Sequence, residues 1–283
     1  MMDVIHFADV RVFLREVEAF LLEKEVENNL ILGICYKQIQ DKMYFNNEIM
    51  ATVNDDNRCI LSLFMNKKNR LVISGDISHE NIDQAIVLAI KAIINRLINV
   101  RSVIGEKELV SLFAEIGKRF LRKPFKEFRH EQIYQLHKLN QFTRPQGLFR
   151  KANRKDIVKI KNWIQTFSES INEPLADSEI DMMAESYITR ESLYVWEKDK
   201  SIVSMANLIR PLKSGAGINL VYTDPEYRGQ GYSTGCVSSL CQEILSHGYA
   251  FCYLYADRSN PISNAMYKKI GFTPVIECLH LIN

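Results

Sequence analysis

The sequence predicts an α+β fold: a mixed, mostly antiparallel sheet with flanking helices in the C-terminal half, preceded by a smaller α+β segment. Three observations carry this expectation. Strand-like and helix-like stretches alternate from Leu148 to Leu281, a glycine-containing turn at Arg228 to Ser233 joins a strand to an amphipathic helix, and short β-prone runs between Leu30 and Ser74 lie between helical patterns. At 283 residues the chain exceeds a typical single domain. The stretch Thr143, Arg144, Pro145, Gln146, Gly147 marks the boundary, giving 1–144 and 147–283.

In order along the chain, Val10, Phe13, Leu14, Val17, Phe20 and Leu21 share one face of an opening helix within Phe7 to Ile31. Leu30 to Tyr36, Met43 to Val53, Cys59 to Asn66 and Arg70 to Ser74 read as strands, separated by turns at Asn54 to Asn57 and Asn66 to Asn69. Ser78 is placed to cap a largely buried helix running to Val100. Further helices are expected over Glu106 to Leu121, ended by Pro124, and over His130 to Leu139. After the boundary come a strand (Leu148 to Lys151), a helix (Asp156 to Phe167) and a second helix opened by Asp177 or Ser178. Strands follow at Leu193 to Glu197, Ile202 to Arg210 and Ile218 to Thr223, then a helix (Gly231 to His247), a strand (Phe251 to Ala256), a helix (Ser263 to Ile270) and a last strand (Thr273 to Leu281).

Composition narrows the function classes. With 36 basic and 34 acidic residues, net charge +2, the chain has no broad attraction for nucleic acid or anionic membrane, so a small molecule or protein segment is the expected ligand. The apolar run Ile82 to Val100 is broken by Asp83, Gln84, Lys91, Asn95 and Arg96, which argues against a membrane span, and Asp3, Asp9, Arg11 and Arg15 break any signal-peptide pattern. The six cysteines have no CxxC or metal-ligand spacing and read as small buried hydrophobes in a reducing compartment, so the expected location is cytoplasmic and no metal is expected. His130 and His137, seven apart, lack a completing ligand and read as packing or solvent-facing residues. Arg119, Arg122, Lys123 and Lys126 read as a solvated helix end.

The informative segment is Thr223, Asp224, Pro225, Glu226, Tyr227 followed by Arg228, Gly229, Gln230, Gly231, Tyr232 and Ser233. A strand, a Gly-rich turn and a helix N-terminus in that order gather unpaired backbone N–H groups at the positive end of a helix dipole, a site suited to a pyrophosphate. Gly229 and Gly231 permit positive φ and close approach of phosphate oxygens, and Arg228 adds a cation. The helix after it has a buried face of Cys236, Val237, Leu240, Cys241, Ile244 and Leu245. Neither the P-loop nor the dinucleotide fingerprint fits, because no Gly-Lys-Ser/Thr follows and the third glycine is missing.

This stretch resembles the signature of the GCN5-related N-acetyltransferase (GNAT) family: Arg or Gln, two residues, Gly, one residue, then Gly or Ala. Arg228, Gly231 and Ser233 occupy those positions, with Ser as the small final residue. A second block, Asn260, Ser263, Tyr267, Gly271 and Phe272, is similar to the family's downstream conserved segment, so the resemblance covers about Gly147 to Asn283. It implies a splayed sheet with acetyl-CoA in the split between neighbouring strands, and direct transfer of the acyl group to a primary amine in a ternary complex. In this family the strand before the loop, here Val221, Tyr222 and Thr223, pairs with the pantetheine amides. Tyr267 falls at the position of a general acid for the CoA thiolate, and Asn260 at a CoA contact.

Tyr267 is also readable as a core tyrosine, and Asn260 as a turn residue before Pro261. The general base stays open: Ile218 to Thr223 carries no carboxylate, Asn219 cannot take a proton at neutral pH, and Glu173, Asp177, Glu185, a water relay or an amine arriving neutral are the alternatives. The first half resembles the accessory half of two-domain members, a degenerate acyltransferase-like unit with an acceptor-covering or homodimerising role. A non-catalytic acyl-CoA sensor is the competing reading.

Overall fold

The computed structural model describes residues 2–42, 47–66, 69–121 and 124–283. Its contacts form two compact units: Met1–Ile133 with Ala256–Pro261 and Pro274–Asn283, and Tyr134–Tyr255 with Ile262–Thr273.

The first unit begins with β1 (Asp3–His6) and α1 (Val10–Leu22), whose Asp9 side chain accepts from the Arg11 N–H and whose buried face is Val10, Phe13, Leu14, Val17 and Leu21. The helix expected to Ile31 stops at Leu22, and the strand expected at Leu30 to Tyr36 is a second helix, α2 (Asn29–Gln40). A short apolar run cannot by itself distinguish a strand from a buried helix segment, and here packing decides. Tyr36 donates to Glu18 on α1 at 2.8 Å, and the Asn28 amide donates to the Leu21 carbonyl at 2.9 Å.

Strands β2 (Ile49–Asp55), β3 (Arg58–Met65) and β4 (Arg70–Gly75) form an antiparallel meander. Positive φ at both Asp56 and Asn57 gives the two-residue turn that suits the twist of a hairpin. Residues 43–46 of the strand expected from Met43, and 67–68 of the turn after Asn66, lie outside the described residues. Helix α3 (Ile82–Asn95) buries Ile82, Ala85, Ile86, Ala89, Ile90 and Ile93 against the meander and ends before Val100; Ser78 bonds Asp76 rather than capping it. Strand β5 (Ser102–Glu106) runs parallel to β4 and leads into α4 (Lys107–Gly117). Arg119 is exposed beyond α4, whereas Arg122 and Lys123 lie outside the described residues.

The helix expected over His130 to Leu139 is instead β6 (Lys126–Leu136). Glu131, Gln132 and Gln135 favour a helix locally, but tertiary partners override them. Phe128 meets the His280 ring edge-on at 5.1 Å, and Gln132 donates to the Ile276 carbonyl at 2.9 Å. His130 and His137 therefore do not share a helix face.

The second unit runs β7 (Leu148–Lys151), α5 (Ile157–Ser170), α6 (Asp177–Thr189), β8 (Leu193–Lys198), β9 (Ser201–Ile209), β10 (Gly215–Thr223), α7 (Tyr232–Ser246), β11 (Phe251–Asp257) and α8 (Pro261–Ile270). Its strand order is β11-β10-β9-β8-β7, with only β10 and β11 parallel. One core packs Ile160, Trp163 and Ile164 of α5 and Ile180 and Ala184 of α6 on Val195, Met205, Leu220 and Tyr222 of the sheet. The last strand, β12 (Thr273–Ile282), returns to pair antiparallel with β5 in the first unit, Cys278↔Glu106 to Ile282↔Ser102.

Arg150 on β7 binds Asp156 through two nitrogens, at 2.7 and 2.9 Å, and Glu197 on β8 at 2.6 Å. Burial acts to raise the Asp156 carboxyl, but the guanidinium and the Asn153 N–H outweigh it and hold it below the usual range. Arg150→Met should cost about 2–3 kcal/mol at neutral pH, since it strands a mostly buried carboxylate. The stabilisation from a lowered carboxyl is complete above its unfolded value, about 3.9, and fades as pH falls through the folded value. Urea titrations should therefore show the gap between wild type and variant closing below about pH 4.

Candidate donor site

Strand β10 carries the main irregularity of the second unit. Its register on β9 runs Gly217↔Ile209, Ile218↔Leu208 and Asn219↔Asn207, then jumps to Tyr222↔Met205, so Leu220 and Val221 together oppose Ala206. This is a β-bulge, and Leu220 sits in the left-handed region at φ +52° while its side chain is buried. Such a conformation costs a bulky residue roughly 1–3 kcal/mol and persists because the core fixes it. The parallel pairing with β11 spans Gly215↔Phe251 to Ile218↔Leu254. From Asn219 onward β10 has no register partner on β11 among the described residues, which opens a split between two neighbouring strands.

After Thr223 the chain is tied down by several contacts. The Asp224 N–H donates to the Val203 carbonyl at 3.0 Å, and the Asp224 carboxylate caps a 3-10 turn over Pro225–Tyr227 and pairs with Lys159 at 2.8 Å. Ser204 donates to the Tyr222 carbonyl at 2.9 Å. Arg228 is exposed; its Nε donates to the Thr223 carbonyl at 3.2 Å and its guanidinium lies 5.6 Å from the centre of the Tyr222 ring. Its terminal nitrogens have no protein hydrogen bond among the described residues. Tyr227 and Tyr232 meet edge-on at 6.0 Å, with the Lys198 ammonium over both rings.

Gly229 and Gly231 have φ +75° and +83°, and a Cβ built on either would meet nothing within 4 Å. Their conformation demands glycine and the space in front of them is open. Gly231 is the N-cap of α7, no side chain caps that helix, and the first α-helical hydrogen bond is Gly235 N–H to the Gly231 carbonyl at 2.9 Å. The N–H groups of the first turn thus point forward at the positive end of the helix dipole. Behind them α7 is buried through Cys236, Val237, Leu240, Cys241 and Ile244, with Leu245 half-buried. At Gly235 a Cβ would come within 3.0 Å of Pro145 and 3.1 Å of Trp196, so the helix sits close on the sheet. Open glycines before an uncapped helix N-terminus are an arrangement suited to an anion.

Val221, Tyr222 and Thr223 at the end of β10 thus lead through the 3-10 turn directly into Arg228 to Ser233. Tyr267 belongs to the same unit: its ring is buried on α8 between Tyr134 at 6.2 Å and Phe272 at 5.8 Å. Burial pushes its phenol well above the usual range, and its hydroxyl has no protein hydrogen bond among the described residues. Asn260 lies in the turn after β11, where its N–H donates to the Asp257 carbonyl at 3.1 Å, and it is part of the first unit. Of the proposed bases, Asp177 is exposed at the start of α6, Glu173 is half-buried after α5, and Glu185 pairs with Arg154 at 3.4 Å. The cysteines carry no metal-binding arrangement among the described residues; burial raises the Cys35 and Cys59 thiols to about 12.

Sequence reasoning missed two features. One is the Arg150 network, where a capping signal existed in Asn153 and Asp156 three residues apart. The other is a polar chain across the sheet: Ser192 donates to Asn207, and Asn207 to Asn219, both at 2.9 Å. Nothing in the local pattern marks those three residues as neighbours. Among the described residues no helix is long and apolar enough to cross a membrane.

Residues 157–272 match the family model described as Acetyltransferase (GNAT) family, and that segment is a GNAT-family domain. A GNAT-family acetyltransferase from Colwellia psychrerythraea is similar over 99% of this chain and 98% of its own, with TM-score 0.60 and 11% identity. A GCN5-related N-acetyltransferase from Sphaerobacter thermophilus covers 88% and 85%, with TM-score 0.62 and 11% identity. A tandem GNAT protein from the clavulanic acid biosynthesis pathway covers 100% and 98%, with TM-score 0.62 and 9% identity. At these identities the likeness establishes the fold. No curated protein matches the sequence.

Because the space before Gly231 is open, Gly231→Ala should cost only the left-handed backbone penalty, about 1 kcal/mol. A thermal melt lowered by about 2–4 °C, with unchanged far-UV circular dichroism, is the expected outcome.

Proposed function

We propose that this chain is an acetyl-CoA-dependent N-acetyltransferase, with 147–283 as its catalytic domain and 1–144 as an accessory half. The observation that carries the reading is the open glycine loop of Arg228 to Ser233 at the free N-terminus of α7, directly after the bulged strand β10. The residues fit a CoA pyrophosphate. A Cβ at Gly229 or Gly231 would stand where phosphate oxygens approach, the first-turn N–H groups of α7 supply donors, and Arg228 has unoccupied terminal nitrogens.

Backbone groups of Val221 and Thr223, on the side of β10 that has left β11, would take the pantetheine arm and orient the thioester. An N–H at the bulge would stabilise the oxyanion that forms as an acceptor amine attacks the thioester carbonyl. Tyr267, kept protonated by burial, would donate to the sulfur as the carbon–sulfur bond breaks. Neither β9 nor β10 carries an acidic residue, so the attacking amine would arrive neutral or pass its proton to water.

Two substitutions test this. Arg228→Glu places an anion at the pyrophosphate and should weaken CoA binding by about tenfold to a hundredfold in calorimetry; unchanged affinity would remove the loop from the donor site. Tyr267→Phe retains the ring packing on Tyr134 and Phe272. It should lower kcat by about a hundredfold while leaving CoA affinity intact, and an unaltered kcat would end the acid role. Tight CoA binding without CoA release across an amine panel would favour the sensor reading.

A further inference from the structure

Arg210 is a half-buried cation with no carboxylate paired to it among the described residues. It follows β9 directly, at φ +44°, a conformation uncommon for a long side chain. The conformation is held from both sides. Tyr253 donates to the Arg210 carbonyl at 2.9 Å, and Gly217, paired with Ile209, leaves no room for a Cβ, which would come within 2.9 Å of the Ile209 carbonyl and the Tyr253 ring. Its guanidinium lies 5.8 Å from the centre of the Tyr255 ring and acts on the Tyr187 phenol, which burial raises and the Arg210 charge partly lowers. The Nε atom is fully buried without a hydrogen-bond partner, and no carboxylate pairs with the guanidinium among the described residues. Buried donors are seldom left so, and a guanidinium fork is shaped for a carboxylate.

Its place in the sheet gives this donor a purpose. Tyr255 is the first residue of β11 beyond Leu254, the last register partner of β10, so Arg210 stands where the two strands part. Asn219, the first residue of β10 past that point, has its side-chain oxygen committed to Asn207. Its amide nitrogen has no protein partner among the described residues. Asn207 and Asn219 share the sheet face that packs on α5 and α6, because they pair in register with each other and, for Asn207, with Leu193 of that core. Asn219 directly precedes the bulge at Leu220 and Val221, and Arg210, through its contact with Tyr255, lies at the same parting of β10 and β11.

We infer that Arg210, assisted by Asn219, binds a carboxylate of the acceptor, so that the acceptor is a small amino-carboxylate rather than a simple amine. The inference rests on the acyl-transfer reading for the word acceptor, but the binding site does not need turnover. The Tyr255 ring lies beside the guanidinium, and the carboxylate is held by the guanidinium's terminal nitrogens.

Calorimetry on the full chain saturated with CoA, using amino acids of graded amine-to-carboxylate separation against their carboxamides, tests it directly. At least one amino acid should bind about tenfold or more tightly than its carboxamide. Arg210→Gln should abolish that preference, and Arg210→Lys should retain part of it, with CoA affinity and thermal melt unchanged in both. No carboxylate preference in the wild type, or a preference surviving in Arg210→Gln, overturns the inference; the wild-type arm decides even if a variant fails to fold. Carboxylate preference without any CoA release would sink acyl transfer and leave the Arg210 site standing. CoA release with carboxylate-free amines at equal efficiency would do the reverse.

Discussion

The left-handed backbone of Leu220, in the middle of β10, is the constraint on which the second unit depends. It inserts one extra residue against β9, and the strand then continues on a path that β11 does not follow. The cost of that conformation is met by burying Leu220 and Tyr222 in the core with Trp163 and Met205. Everything assigned to the donor side lies downstream of it: Asp224 locked by Val203 and Lys159, the 3-10 turn, and the glycines that present the start of α7. The donor candidates on the strand are backbone groups, which is why a distortion of the backbone rather than a special side chain creates them.

In the first unit the equivalent organising group is Glu277. Lys107 of α4 reaches its carboxylate at 2.8 Å, the His130 ring of β6 also at 2.8 Å, and Arg258, from the turn after β11, pairs with it as well. Burial, followed by the nearby Arg258 charge, lowers the His130 pKa, so the imidazole acts as a neutral hydrogen-bond partner and the two cations balance the charge. This accounts for the membership of Ala256–Pro261 and Pro274–Asn283 in a unit otherwise built from the first 133 residues. The pairs are partly exposed and contribute modestly to stability each; their value is in joining four distant segments at one point.

What the sequence made legible follows a physical division. Signals that reside in consecutive residues were readable: the strand, glycine turn and helix around Arg228 to Ser233, and the apolar spacing of α3 and α7. The two misread elements are those whose local preference loses to distant partners. Leu30 to Tyr36 is β-prone yet coils as α2 because Tyr36 and Asn28 dock on α1. His130 to Leu136 is helix-prone yet extends as β6 because Phe128 and Gln132 find His280 and Ile276, about 150 residues away. A window of ten or fifteen residues contains neither partner.

The same division explains why the donor and acceptor sides of the site differ in legibility. Recognition of a pyrophosphate needs N–H groups at one helix start, and these come from neighbouring residues, so a motif can record them. Recognition of an acceptor needs side chains that converge from separate elements. In the proposed acceptor site Arg210, Asn219, Tyr187 and Tyr255 come from the end of β9, from β10, from α6 and from β11. Each is unremarkable in its own stretch of sequence. Arg210 becomes informative only once the fold shows that its buried Nε has no partner, because an unpaired buried donor is a cost that a structure retains where a ligand can repay it.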